Sequence, residues 1–261
     1  MNTHFDITIL IPAKDEALRL PPFLNSVLTF AKNYPGKIEV IVIDDGSRDD
    51  TGGVVIKAQQ MYPGLKLLRL PTNKGKGYAL KCGMSSSQGT IIAFLDADGS
   101  TPVEEVSRQI KWFDEGFDIV AGSRVLRDPS SQVQALAYRR WAGALFNSLV
   151  HIFLMNDIKD TQCGFKMFRR GVVAELVSRV RLNGYGFDLE LLYAAKQLGL
   201  RIKETPVNWH HVDGSKVSLL KDSWRMMANI FQIRSWHASA PKQPLMRVRI
   251  ENLENNYVEK N

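Results

Sequence analysis

The chain has 261 residues, with 34 Lys and Arg against 27 Asp and Glu, for a formal net charge of +7. A composition of 44% hydrophobic and 23% charged residues excludes a disordered, collagen-like or small disulfide-stapled chain. The two cysteines, Cys82 and Cys163, are far apart and lack C-x-x-C spacing, which argues against a disulfide framework or thiolate zinc site and for a reducing compartment.

Ile7-Thr8-Ile9-Leu10-Ile11 is β-branched and apolar up to Pro12, as expected of a strand buried on both faces in a parallel sheet. The polar turn Lys14-Asp15-Glu16 follows, then Leu20, Phe23, Leu24, Val27 and Leu28 at helical spacing. Ile38 to Ile43 is the next buried strand, ended by Asp44-Asp45-Gly46-Ser47. A helix over 51–61, a short strand over 65–70 and a helix running from the Asn73–Gly77 turn through Ser87 come next. Ile91 to Leu95 is a fourth strand, ending at Asp96-Ala97-Asp98; a helix to about Gly116 and a fifth strand over 118–122, leading into Ser123-Arg124, complete the series. Alternation of this kind implies βαβ units with right-handed crossovers, in which ligands sit outside the carboxyl ends of the strands. Every acidic or glycine-rich turn named above falls at such an end.

The second half is less periodic. Between Arg124 and Arg170 eight basic residues face three acidic ones, so this stretch holds +5 of the net +7. An apolar helix is expected over 145–155, and an amphipathic one over about 217–236 with Val217, Leu220, Trp224, Met227 and Phe231 on one stripe. The expected organisation is a single domain over 1–237 with a polar tail over 238–261. No run reaches the roughly 18–20 apolar residues of a membrane span, and the first ten residues do not read as a signal peptide. A soluble or peripheral protein is therefore expected. The charge excess, beside an apolar helix, fits docking on the cytoplasmic face of an anionic membrane. Nucleic acid is not an expected partner, because no recognition motif such as the RNP aromatic signature occurs.

The first βα turn carries Pro12-Ala13-Lys14-Asp15-Glu16 in place of G-x-G-x-x-G, which removes most support for a dinucleotide-dependent oxidoreductase. Asp96 and Asp98 close a buried strand, where hard divalent cations such as Mg²⁺ or Mn²⁺ take carboxylates plus substrate phosphates. An isolated D-x-D triplet also reads as solvated turn acids or a helix cap; its place beside Asp44-Asp45 favours the metal role. His4, His151 and His237 have no ligand spacing and read as surface or packing residues. Lys74 and Lys76 read equally as phosphate contacts or as solvated loop residues.

ILIPAKDEALRL, IEVIVIDDGSRDDT, NKGKGYAL, FLDADGS, VAGSR, DTQCGFKMF, GFDLELL and VNWHHVDGSK together resemble the inverting family 2 glycosyltransferases of GT-A fold. More narrowly they resemble the polyprenyl-phosphate hexosyltransferases, the group of the dolichyl-phosphate glucosyltransferases and mannose synthases, with DTQCGFKMF and VNWHHVDGSK leaning to the glucosyl side. The resemblance spans about residues 5–220. It implies an α/β Rossmann-like, mostly parallel sheet that takes a nucleotide-sugar donor and a polyprenyl phosphate acceptor. By the same resemblance Pro12, Lys14, Glu16, Asp44 or Asp45, and Ala97 border the donor nucleotide, and Asp96 and Asp98 hold the metal and diphosphate. Arg124, Arg139, Arg140, Ser215 and Lys216 face phosphates, and Asp160, Asp188 and Glu190 border the sugar. The chain departs from the mannose synthases in having His210-His211 where they place an arginine, and from much of the family in lacking membrane-spanning helices.

The residues agree with that chemistry. Departure of a nucleoside diphosphate builds negative charge that a cation and nearby Arg or Lys stabilise. A lipid phosphate is already a nucleophile, so the protein mainly aligns two repelling anions, a positioning task worth up to roughly 7–11 kcal/mol; the planar fork of arginine suits it. A saccharide or protein hydroxyl acceptor would need a carboxylate base, for which Asp160 and Asp188 are the candidates. A nucleotidyltransferase is disfavoured because no glycine-rich activation loop follows the first strand.

Overall fold

A computed structural model describes residues 5–129, 131–134, 150, 153–212 and 219–238. In chain order the first half comprises β1 (Phe5–Ala13), α1 (Leu20–Asn33), β2 (Ile38–Asp44), α2 (Thr51–Gln59), β3 (Leu65–Arg69), α3 (Lys76–Ser86) and β4 (Gly89–Leu95). Then come α4 (Glu105–Gln109), α5 (Lys111–Asp114), β5 (Ile119–Ser123), β6 (Val133–Gln134) and β7 (Phe165–Arg169). The last described elements are α6 (Arg170–Arg179), α7 (Phe187–Gln197), β8 (Ile202–Pro206), β9 (Trp209–His210) and α8 (Leu219–Ala238).

Seven strands form one sheet in the order β3-β2-β1-β4-β7-β5-β8, and β6 pairs with β9 separately. The sheet is parallel except for β7, which runs against both neighbours. Strand β1 alternates between two cores. Ile7, Ile9 and Ile11 pack with Val40, Val42 and α1, whereas Leu10 packs with Ile41, Ile43, Phe94 and residues of α3, α6, α7 and α8. Burial on both faces is why β1 and β2 read as unbroken apolar runs, each Ile or Leu contributing roughly 1.5–3 kcal/mol.

Register brings the chemical turns to one edge. Ala13 pairs with Asp44 and Asp44 with Arg69, so the ends of β1, β2 and β3 lie in line. Because β7 is antiparallel, it is its beginning that reaches this edge. Phe165 lies opposite Leu95, which sets the DTQCG segment beside Asp96.

Two expectations are corrected. The helix foreseen to Gly116 is divided at Ile110, where hydrogen bonds close three residues back, as from Phe113 N–H to the Ile110 carbonyl at 3.0 Å. Helix α8 buries Asn229, Ile230, Ile233 and His237, whereas Phe231, placed on the apolar stripe, is 55% exposed beside Phe153. The 3.6-residue period admits two adjacent stripes, and packing against α7 selects the one through Ile230. Of the helix expected over 145–155, only Val150 and residues 153–155 are described. Among the described residues no helix is long and apolar enough to cross a membrane.

Candidate active site

Asp44 ends β2 fully buried. Its Oδ1 accepts the Ser47 N–H at 2.8 Å, while Arg69 Nε approaches Oδ2 at 3.3 Å without hydrogen-bond alignment. Oδ2 is thus buried without a hydrogen-bond donor, its nearest cation being Arg69. Asp45 is committed elsewhere: its two oxygens accept the N–H groups of Lys74 and Gly75, each at 2.8 Å. Its carboxylate therefore fixes the turn that opens α3. Glu16 is buried and bound by the Arg19 guanidinium at 2.6 and 2.8 Å. Lys14 pairs with Asp15 at 2.6 Å, and Asp15 accepts Arg48 N–H at 2.7 Å, joining the Pro12–Glu16 turn to the Asp44–Ser47 turn.

At the end of β4, Asp98 Oδ1 accepts the Ser100 N–H at 2.9 Å, and Ala97 between the acids is buried. Asp96 Oδ1 lies 2.7 Å from Lys76 Nζ. Lys76 also approaches Asp188 Oδ2 at 3.5 Å, while Asp188 Oδ1 holds Lys166 Nζ at 2.7 Å. Lys166, on β7 and fully buried, donates a second bond to the Cys163 carbonyl at 2.8 Å. Gly164 admits the Asp96 carboxylate: a Cβ there would stand 1.9 Å from Asp96 Oδ2. Burial, reinforced by the charge of Asp98, pushes the Asp96 carboxyl above the usual range despite Lys76. For Asp188, burial acts in the same sense, but Lys166 and Lys76 outweigh it and hold the carboxyl low.

At the end of β5, Arg124 grips Asp160 with Nε at 2.8 Å and Nη2 at 2.9 Å, and its own N–H adds a bond at 2.9 Å. Asp160 is buried, yet Arg124 overcomes the burial penalty and keeps its carboxyl below the usual range. Glu204 on β8 supports the loop by accepting the Lys159 and Asp160 N–H groups at 3.0 and 2.8 Å. The Arg124 guanidinium lies 5.7 Å from the Trp209 ring centroid. His210 N–H donates to the Ser100 carbonyl at 3.0 Å, tying β9 to the turn that bears Asp98. Burial and the Asp160 charge push the Cys163 thiol up to about 12, which agrees with a packing role.

The structure thus brings Asp96, Asp98, Asp188, Asp160 and Arg124 to one edge, with Asp44, Glu16 and Lys14 on its β1–β2 side. Arg139, Arg140, Ser215 and Lys216 lie outside the described residues. Glu190 does not border this edge network: it accepts the N–H groups of Arg181 and Leu182 at 3.0 and 2.7 Å and faces buried His237 at 3.0 Å. Sequence reasoning missed Lys166 altogether and left Lys76 undecided; the K of DTQCGFK, at a buried strand position, was the available signal for the first. Among the described residues, no three or more His, Cys, Asp or Glu gather as a metal cage.

The low carboxyls of Asp160 and Asp188 carry a pH consequence. Groups depressed in the folded state stabilise it above their unfolded value near 3.9, and that contribution is lost as pH falls through the folded values. The melting temperature is expected to hold from pH 8 to about 5 and fall below about 4 by calorimetry. Replacement of Asp160 by asparagine should flatten that acid limb.

Residues 8–177 match the Glycosyl transferase family 2 profile, and the chain belongs to that family of glycosyltransferases. It is similar to the dolichyl-phosphate β-glucosyltransferase of Dictyostelium discoideum, at 35% identity over 87% of this chain and 73% of that one. The human enzyme of the same name is 33% identical over 81% of this chain and 69% of its own length. Among solved structures, glucosyl-3-phosphoglycerate synthase from Mycobacterium tuberculosis, in complex with UDP, shares the fold. Its TM-score is 0.66 at 22% identity, covering 88% of this chain and 80% of that chain. The same enzyme with Mn²⁺, UDP-glucose and phosphoglyceric acid gives a TM-score of 0.68 at 20% identity, with the same coverage.

Proposed function

We propose that this chain transfers glucose, with inversion, from UDP-glucose to a polyprenyl phosphate at the cytoplasmic face of a membrane, with Mg²⁺ or Mn²⁺ held by Asp96 and Asp98. Support for the donor and acceptor comes from the relatives, whose names specify β-glucosyl transfer to dolichyl phosphate. Two hard carboxylates at one strand end suit either ion, with phosphate oxygens completing its shell. A bound divalent ion would supply charge stabilisation for the departing diphosphate.

The chain's own residues carry the rest. Asp44 fixes the end of β2 at the nucleoside side of the edge, and Asp45 holds the adjoining turn. Asp160 locks the Arg124 guanidinium in one plane at the mouth of β5, preorganised for an anionic partner. The observation that carries the acceptor class concerns the two candidate bases. Both oxygens of Asp160 and of Asp188 face cations, and both carboxyls are held low, so neither is a good proton acceptor at neutral pH. A hydroxyl acceptor needs such a base; a phosphate oxyanion does not.

Labelled UDP-glucose, GDP-mannose and UDP-N-acetylglucosamine, each offered with a polyprenyl phosphate, test the donor. Glucose should enter the lipid fraction at least about tenfold faster than either other sugar, as expected where a site hydrogen-bonds its preferred ligand. Equal or faster mannose transfer would overturn the donor assignment.

A further inference from the structure

Lys76 occupies a position that the catalytic scheme leaves unexplained. Its ammonium rests on Asp96 Oδ1 at 2.7 Å, on a carboxylate assigned to the metal, and a second carboxylate, Asp188, stands at 3.5 Å on its other side. Its backbone is anchored. Gly75 N–H is bound by Asp45 at 2.8 Å, Tyr78 N–H by the Asn183 carbonyl at 3.1 Å, and a Cβ on Gly75 would meet that same carbonyl at 2.5 Å. Only the four-carbon side chain is left to move, and both carboxylates already lie within 3.5 Å of its ammonium. Asp188 is itself fixed, since buried Lys166 holds its other oxygen at 2.7 Å.

From this geometry we infer that Lys76 is an exchangeable counter-ion for Asp96: it neutralises the carboxylate while the metal site is empty and passes to Asp188 when the metal binds. Two cations on the same carboxylate oxygen repel each other, so lysine and metal compete for half-exposed Asp96, and buried Asp188 supplies the lysine with a second seat. A compact ammonium on a flexible stem suits the exchange better than a rigid guanidinium. The inference rests on the assignment of the metal to Asp96 and Asp98.

The test is Mn²⁺ binding to the full chain without donor, followed by titration calorimetry or the electron paramagnetic resonance of free Mn²⁺. Lys76→Gln removes the competitor and should bind Mn²⁺ about tenfold more tightly than wild type, a coupling of ordinary size. Asp188→Asn removes the second seat, leaves Lys76 on Asp96 and should bind Mn²⁺ more weakly. Opposite signs separate exchange from a structural role, which would weaken binding in both. Lys74→Gln, whose ammonium lies over the Tyr78 ring, should match wild type. If Asp188→Asn does not fold, the contrast of Lys76→Gln with Lys74→Gln decides alone. Unchanged or weaker binding by Lys76→Gln, with wild type binding normally, would overturn the exchange and leave the metal assignment intact. No Mn²⁺ binding by wild type even with UDP would overturn both.

Discussion

Replacement of Asp98 by alanine should lower glucosyl transfer by about a thousandfold or more, equivalent to roughly 4 kcal/mol of transition-state stabilisation, while leaving the fold standing. The two halves of that expectation have separate grounds. Asp98 is only partly buried, and it accepts the Ser100 N–H, a bond whose loss costs about 1 kcal/mol. Its proposed work is done on the diphosphate, where charge develops, so the loss should fall on kcat. Turnover with saturating UDP-glucose and metal, measured beside a thermal melt, checks both. A variant that keeps more than a tenth of wild-type turnover would remove Asp98 from the metal site.

The second large effect is on stability. Asp160→Asn should destabilise the chain by about 3–5 kcal/mol, because Arg124 would lose a bidentate partner and the buried loop its anchor. At roughly 2–4 °C per kcal/mol for a chain of this size, the melting temperature should fall by about 6–20 °C. Arg124 is 33% exposed at its side chain while Asp160 is 2% exposed, so solvent can partly rescue the arginine and the lower end of the range applies if it turns outward. A fall of less than about 2 °C would show that the pair is not the structural hinge of the β5 end. Transfer should fall as well, since the guanidinium would no longer be held in one plane.

The parallel strands were legible because burial on both faces leaves an unmistakable record: Ile7 to Ile11 and Ile38 to Ile43 have no polar alternation beyond Thr8 and Glu39. The acid turns were legible for a related reason, since an Asp pair at the end of such a run has to face the ligand edge. Long-range pairing left no comparable mark. Thr8 and Glu39 answer each other at 2.6 Å inside the sheet, and Lys166 answers Asp188 across 22 residues of sequence, neither contact having a local pattern. The antiparallel β7 was hidden because FKMFR reads equally as a motif, a strand or a turn of helix. Asp45 shows the same limit at single-residue scale. Sequence left Asp44 and Asp45 as alternatives at the nucleoside, and the contacts of Asp45 at Lys74 and Gly75 make it the brace of the neighbouring turn.

On the proposed reading, the Lys76 exchange, the cation-bound Asp160 and Asp188 and the Arg124–Asp160 pair serve to bring two phosphates together without moving a proton. The most direct test is to offer labelled UDP-glucose with matched polyprenyl phosphate and polyprenol, the same chain ending in a phosphate or in a hydroxyl. Glucosylation of the phosphate is expected, with turnover nearly flat from pH 6 to 8, and no transfer to the alcohol above background. Comparable transfer to the alcohol, rising with pH as a general base is uncovered, would contradict that reading.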